Sequence, residues 1–155
     1  MTSATCYFDS SALVKRYLLE IGTRWVQNWC DDPTQTVAIA EIGFVEVAAA
    51  FASKLRGGFI TSVQYDDART DLMNDVRDEY VSVAIDRSIV DTAIELTARH
   101  RLRGYDAVHL ACALRLNNAL NAQNLPALIF ISADDNLLLA AADEGLPIDN
   151  PNHHP

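Results

Sequence analysis

The segment Leu102-Arg103-Gly104-Tyr105-Asp106-Ala107-Val108-His109-Leu110-Ala111-Cys112-Ala113-Leu114 constrains the fold more than any other part of the chain. It reads as a helix opening at Gly104. Val108, Leu110, Ala111 and Leu114, with alanines between them, make most of its surface apolar, so it has to be enclosed on most sides. Yet Asp106 sits in its first turn, and His109 follows one turn later. A carboxylate at the start of an enclosed helix needs compensation from the helix N-terminus, a cation or a metal ion. The chain therefore has to build a core around this helix and bring a partner to Asp106.

The remaining segments alternate between strand and helix patterns. A short apolar strand over 5–8 leads into a helix that starts at Asp9-Ser10-Ser11, with Ala12, Leu13, Val14 and Tyr17 apolar. Residues 20–30 form an amphipathic helix with Ile21, Trp25, Val26 and Trp29 on one face. The two tryptophans read as packing side chains rather than base-stacking ones. A second strand spans 35–40. A long helix over 40–56, closed by Gly57-Gly58, carries an apolar stripe of Ile42, Val45, Ala49 and Ala52, widened by Phe44, Val47, Ala48 and Phe51. The helix over 61–79 turns Val63, Ala68, Leu72 and Val76 inward and leaves its acids as a solvated face. A third strand over 80–85 precedes a helix over 86–99 that Asp86 caps, with Ile89, Val90, Ala93, Leu96 and Thr97 inward. A strand over 126–131, a helix over 137–144 stopped at Gly145, and a short strand at 146–148 complete the pattern. Such alternation predicts a three-layer α/β/α sandwich with a mostly parallel central sheet. At 155 residues this is one domain over 1–149. The polar tail over 150–155 is expected to fray, and His153 and His154 are not read as a metal site.

No apolar run approaches the ~20 residues needed to span a bilayer, and the N-terminus lacks the basic start and apolar core of a signal peptide. The expectation is a cytoplasmic protein without membrane contact. Cys6, Cys30 and Cys112 lack metal-ligand spacing and read as reduced structural thiols. The net charge of −9 argues against a protein that coats nucleic acid nonspecifically. It is compatible with a nuclease, whose metal-binding carboxylates add negative charge that bound cations offset.

Carboxylates recur where such a fold gathers ligands. Asp9 falls at the end of the first strand, the ligand-binding edge of a parallel sheet, and reads equally well as a helix cap. Ser132 and Asp135 read as a capping box for the last helix, which leaves Asp134 at a strand end without a structural duty. Glu46 lies within the apolar run Phe44-Val45-Glu46-Val47-Ala48-Ala49-Ala50, whereas Glu41 reads as exposed. Asp9, Glu46, Asp106 and Asp134 sharing one cleft would repel one another and raise their pKa values. Mg²⁺ or Mn²⁺, which prefer hard oxygen ligands, would relieve that repulsion, and an acidic cluster holding such ions suits phosphodiester hydrolysis. Phosphate-cradling glycine loops and a G-x-S-x-G elbow are missing from the sequence. Asp9 is also not followed two residues later by the second Asp of an aspartyl-phosphate phosphatase. The densest basic stretch, Arg99-His100-Arg101-Leu102-Arg103, directly precedes Asp106. It reads either as a solvated loop or as a phosphate contact beside the acids.

Taken together, four blocks resemble the PIN-domain family, and within it the VapC-type toxins of bacterial toxin–antitoxin pairs. They are Tyr7-Phe8-Asp9-Ser10-Ser11-Ala12-Leu13-Val14-Lys15, Val45-Glu46-Val47-Ala48-Ala49-Ala50, Arg103-Gly104-Tyr105-Asp106-Ala107-Val108-His109-Leu110-Ala111, and Ser132-Ala133-Asp134-Asp135-Asn136-Leu137 followed by Ala140-Ala141 and Glu144-Gly145-Leu146. They occur in the family's order and span nearly the whole chain. The resemblance implies a Mg²⁺- or Mn²⁺-dependent endoribonuclease that leaves 5′-phosphate and 3′-hydroxyl ends. It implies that Asp9 and Asp106 are central metal ligands and that Glu46 binds metal or orients the attacking water. Asp134 would complete the site, with Ser10 as the supporting hydroxyl. Asp135 adjoins Asp134 and competes for its role; the S-x-D-x-x-L spacing favours Asp134. The resemblance also implies a homodimer silenced by a cognate antitoxin. Lys15, Arg16, Arg99, Arg101 and Arg103 are the candidate RNA contacts. The rival readings are a non-catalytic PIN-like binding module, against which the intact acidic set weighs, and a metal-dependent nuclease acting on DNA.

Overall fold

The computed structural model describes residues 3–155. Strands β1 (Thr5–Phe8), β2 (Thr36–Ala40), β3 (Val81–Val83), β4 (Ile129–Ile131) and β5 (Ile148–Asp149) form one sheet in the order β3-β2-β1-β4-β5. Every pairing in it is parallel. The helices are α1 (Ser10–Tyr17), α2 (Thr23–Asp31), α3 (Glu41–Arg56), α4 (Ser62–Asp78), α5 (Arg87–Arg99), α6 (Gly104–Ala122) and α7 (Asp135–Asp143). None among the described residues is long and apolar enough to cross a membrane.

The period-two alternation of the strands sorts the core into two halves. On one side of the sheet, Tyr7, Ala38, Ala40 and Phe130 pack against α5, α6 and α7. On the other, Cys6, Phe8, Val37, Ile39 and Ile131 pack against α1, α2, α3 and α4. The expected three-layer sandwich is what forms. The small side chains of Ala38 and Ala40 let α6, the apolar helix, lie close to β2. The chain crosses from β1 to β2 on one side and from β4 to β5 on the other, so a crevice opens at the carboxyl ends of the adjacent strands β1 and β4.

Several local expectations are corrected. The helix expected from residue 20 starts at Thr23, because Gly22 sits at φ +86° in the left-handed region and breaks it; Ile21 is left exposed. Trp25 and Trp29 do pack, edge to face at 6.0 Å. In α3 the buried face is Gly43, Val47 and Phe51, while Val45 and Ala49 are exposed. Val63, Val90 and Thr97 are likewise exposed rather than inward. The tail expected to fray is instead docked. Pro151–His153 form a 3-10 turn capped by Asn150, Pro151 is buried, and the His154 ring stacks on Trp25 at 4.4 Å.

Gly43 marks the tightest crossing of helix and sheet. A Cβ built there would stand 2.5 Å from Ile39 Cδ1, 2.6 Å from Ile39 Cγ1 and 3.2 Å from His109 Cε1. Gly43→Ala is expected to cost about 1 kcal/mol net, because overpacking of ~1–3 kcal/mol outweighs the ~1 kcal/mol of helix propensity that alanine gains. A urea-unfolding midpoint that rises instead would show that Ile39 turns aside freely.

Candidate active site

Asp9 ends β1 and caps α1, so both readings of it hold at once. Its Oδ1 accepts the Ala12 N–H at 3.0 Å and the Ser11 hydroxyl at 2.7 Å, and its Oδ2 accepts the Ser132 hydroxyl at 2.7 Å. The side chain is buried. Burial pushes its pKa above the ordinary carboxylate range, against the pull of Ser132, His109, Ser11 and the Ala12 N–H. Ser11, not the expected Ser10, supplies the supporting hydroxyl on this helix.

Beyond β4, Ser132 is buried and its Oγ also accepts the Asp134 N–H at 3.0 Å. The expected capping box of Ser132 and Asp135 does not form. Asp134 is the cap of α7, with Oδ1 accepting from Asn136 N at 2.9 Å and Leu137 N at 3.3 Å. Asp135 turns to the tail and accepts from Asn150 Nδ2 at 2.8 Å. It therefore does not share the position of Asp134.

Asp106, in the first turn of α6, meets the partner that its apolar helix required. The Arg103 guanidinium donates through Nε to Asp106 Oδ2 at 3.1 Å, and its Nη2 lies 3.7 Å from Asp134 Oδ2. Hydrogen bonding and charge from Asp106, then Asp134 and Glu46, hold Arg103 above the ordinary guanidinium pKa. The field of Glu46 thus falls on the same patch. His109, on α6 one turn past Asp106, contacts Glu46 Oε1 through Nε2 at 2.5 Å and Tyr7 Oη through Nδ1 at 2.6 Å.

The structure thus links Asp9, Asp134 and Asp106 through Ser132 and Arg103; Glu46 is held separately, by His109 one turn beyond Asp106 on α6. All donors are hard carboxylate oxygens, which fit Mg²⁺ or Mn²⁺ in chemistry. As placed, no three His, Cys, Asp or Glu side chains among the described residues form a group that could hold one ion. Arg103 occupies the cation position between Asp106 and Asp134, and a divalent ion would have to displace it from at least one of them.

Two of the expected RNA contacts are not available. Lys15 is buried against Glu20 at 3.0 Å. Arg16 is enclosed by Tyr80, Asp75, Glu79 and Asp31. Both side chains solvate acids inside the fold rather than facing a ligand. Arg99 pairs with Glu144 at 2.8 Å, while Arg101 and Arg103 are exposed and Arg103 alone reaches the acids Asp106 and Asp134. The residues that sequence reasoning passed over are Tyr7, Ser11 and His109 as site members, and Ser132 as a ligand of Asp9. His109 carried a signal, since an imidazole on an enclosed helix needs polar partners.

Burial of Asp9 sets a pH dependence. Its raised folded pKa means that the native state binds a proton more readily than the unfolded one. Stability is therefore lost as pH rises from the ordinary carboxylate value through the raised one. Asp9→Asn is expected to raise Tm at pH 7 in EDTA and to match the wild-type chain below about pH 4. A lower Tm at every pH would mean that the three hydrogen bonds outweigh desolvation.

A family model described as the PIN domain matches residues 6–143. Ribonuclease VapC45 of Mycobacterium tuberculosis is 32% identical over 112 residues, which is 72% of this chain and 76% of that protein. The crystal structure of PAE2754 from Pyrobaculum aerophilum aligns with a TM-score of 0.64 at 14% identity, covering 97% of this chain and 85% of the other. A toxin–antitoxin complex from Klebsiella pneumoniae aligns with a TM-score of 0.57 at 19% identity, covering 94% and 97%.

Proposed function

The chain belongs to the PIN-domain family, and on that premise we propose that it is the toxin of a type II toxin–antitoxin pair, a Mg²⁺- or Mn²⁺-dependent endoribonuclease. The observation that carries this reading is the network joining Asp9, Ser132, Asp134, Arg103 and Asp106 at the carboxyl edge of the sheet. Similarity to a protein named as a ribonuclease supports the reaction class, and likeness to a chain of a toxin–antitoxin complex supports the biological setting. The same network counts against a non-catalytic binding module. Capping of α1 accounts for Asp9, but Asp106 and Asp134 facing one exposed guanidinium is an arrangement that holding partners alone does not require.

In this reading Asp9 and Asp106 hold the ion, Asp134 and Glu46 complete the set, and Ser11 and Ser132 fix the Asp9 carboxylate. The bound ion would supply the Lewis acidity that polarises the scissile phosphate and activates water, leaving 5′-phosphate and 3′-hydroxyl ends. Arg103, with its side chain largely exposed, would turn from its carboxylates to the phosphate. Arg101 and Arg99 would extend that contact along the RNA. Lys15 and Arg16 take no part. Exposed apolar side chains, with Leu19 and Phe59 lining one groove and Ile94 and Tyr105 another, offer surfaces for the antitoxin and for a second copy of the chain.

Incubating the antitoxin-free protein with total cellular RNA and Mn²⁺ or Mg²⁺, then mapping new 5′-phosphate ends, tests the reaction. Discrete cuts are expected, abolished by EDTA and slowed roughly 100-fold or more by Asp106→Asn. Cuts in matched DNA but not RNA would favour the DNA-directed reading, and cuts that survive EDTA would overturn the metal-dependent one. For the RNA surface, Arg101→Ala is expected to reduce the salt slope of RNA binding by roughly 0.7, the value for one single-strand phosphate contact. An unchanged slope would remove Arg101 from the interface.

A further inference from the structure

Glu46 has a single hydrogen-bond partner in the protein among the described residues, and that partner is His109. The imidazole is fully enclosed, whereas the Glu46 side chain keeps 28% of its surface exposed. The histidine is itself fixed from behind. Tyr7 Oη accepts the Ala40 N–H at 3.1 Å, so the hydroxyl proton needs an acceptor, and His109 Nδ1 lies 2.6 Å away. A tyrosine hydroxyl has one proton to give. Nδ1 therefore accepts it, and the remaining N–H of the ring, on Nε2, donates to Glu46 Oε1. The tautomer follows from the backbone N–H at the end of β2.

The seat of the ring is equally determined. Tyr7 stacks on Phe130 with centroids 5.5 Å apart and planes 7° from parallel, and His109 packs edge-on against Tyr7 at 5.8 Å. On the third side stands Gly43, where a Cβ would come within 3.2 Å of His109 Cε1. A glutamate side chain held by nothing else would sample several rotamers and present its carboxylate poorly. Groups behind a ligating side chain set its orientation and hence the affinity of a metal site.

Resting on the ribonuclease reading, we propose that His109, locked in its Nε2–H tautomer by Tyr7, is the positioning residue that presents the Glu46 carboxylate to the divalent ion. It touches neither RNA nor the reacting atoms. Tyr7 is the next member of the same relay.

The test uses the intact chain and two readouts besides cleavage. Long-range ¹H–¹⁵N NMR correlations of the metal-free protein report the tautomer, and Mn²⁺ binding followed by EPR reports the site. His109 is expected to show a protonated Nε2 and a bare Nδ1; the opposite tautomer would overturn the proposal. His109→Leu should weaken Mn²⁺ binding by about 10-fold or more, and His109→Gln, whose amide can still donate to Glu46, should recover part of that loss. Tyr7→Phe should let both tautomers appear. In a Glu46→Gln background, His109→Leu should change Mn²⁺ affinity no further; an undiminished loss there would mean a general packing role and overturn the assignment. Unaltered Mn²⁺ affinity in a folded His109→Leu chain sinks the assignment alone. A wild-type chain that binds no Mn²⁺ sinks the metal-dependent reading and the assignment together.

Discussion

The buried carboxylate of Asp9 is the constraint on which the rest of the site depends. A charge taken out of water is costly unless its lone pairs are satisfied. Its three hydrogen bonds come from two separate places, Ala12 and Ser11 at the start of α1 and Ser132 after β4. Solvating this one group therefore fixes how the first helix leaves β1 and how the chain turns beyond β4. Because β1 is the central strand, with β2 on one side and β4 on the other, the acid sits where the parallel sheet opens its crevice. The fold and the functional edge share one anchor.

Around that anchor the basic residues divide into two kinds. Lys15 and Arg16 are consumed inside the fold, matched to Glu20 and to Asp75 and Glu79. Arg103 is different, because it spans Asp106 and Asp134 from a largely exposed position at the helix start. A guanidinium held there balances the local negative charge without being locked in, as a counter-ion does. In a chain of net charge −9, this internal cation offsets part of the repulsion within the carboxylate cluster.

The strands, the order of elements and the positions of Asp9, Asp106 and Asp134 were legible because they rest on local signals. These are period-two apolar runs, cap residues and turn glycines. The α3 face was not, since residues 44–52 are apolar nearly all round and periodicity cannot choose among sides. Two adjacent aspartates, Asp134 and Asp135, satisfy the same local capping rule. The choice between them is made by Ser132, whose hydroxyl goes to Asp9, 123 residues away. Lys15 and Arg16 looked like surface charges because their partners arrive from the α1–α2 loop and from α4. The docking of residues 150–155 similarly depends on Trp25 in another helix.

The Tyr7–His109–Glu46 series shows why long-range polar pairs escape sequence reasoning. Phenylalanine at position 7 would stack on Phe130 as well as tyrosine does, so the hydroxyl needs a separate reason. Where β2 bends into α3, the Ala40 N–H leaves the sheet ladder and needs an acceptor. Tyr7 provides it, and the proton that Tyr7 must then place is taken by His109, 102 residues further on. An orphan backbone N–H, a buried hydroxyl and a buried imidazole are each unfavourable alone, and here they satisfy one another in series. Among the described residues no buried side-chain polar atom lacks a partner. A series of this kind has to end on an acceptor that the core does not supply, and it ends on Glu46, at the boundary with solvent. The polar demands of the sheet interior are in this way converted into a fixed carboxylate at its functional edge.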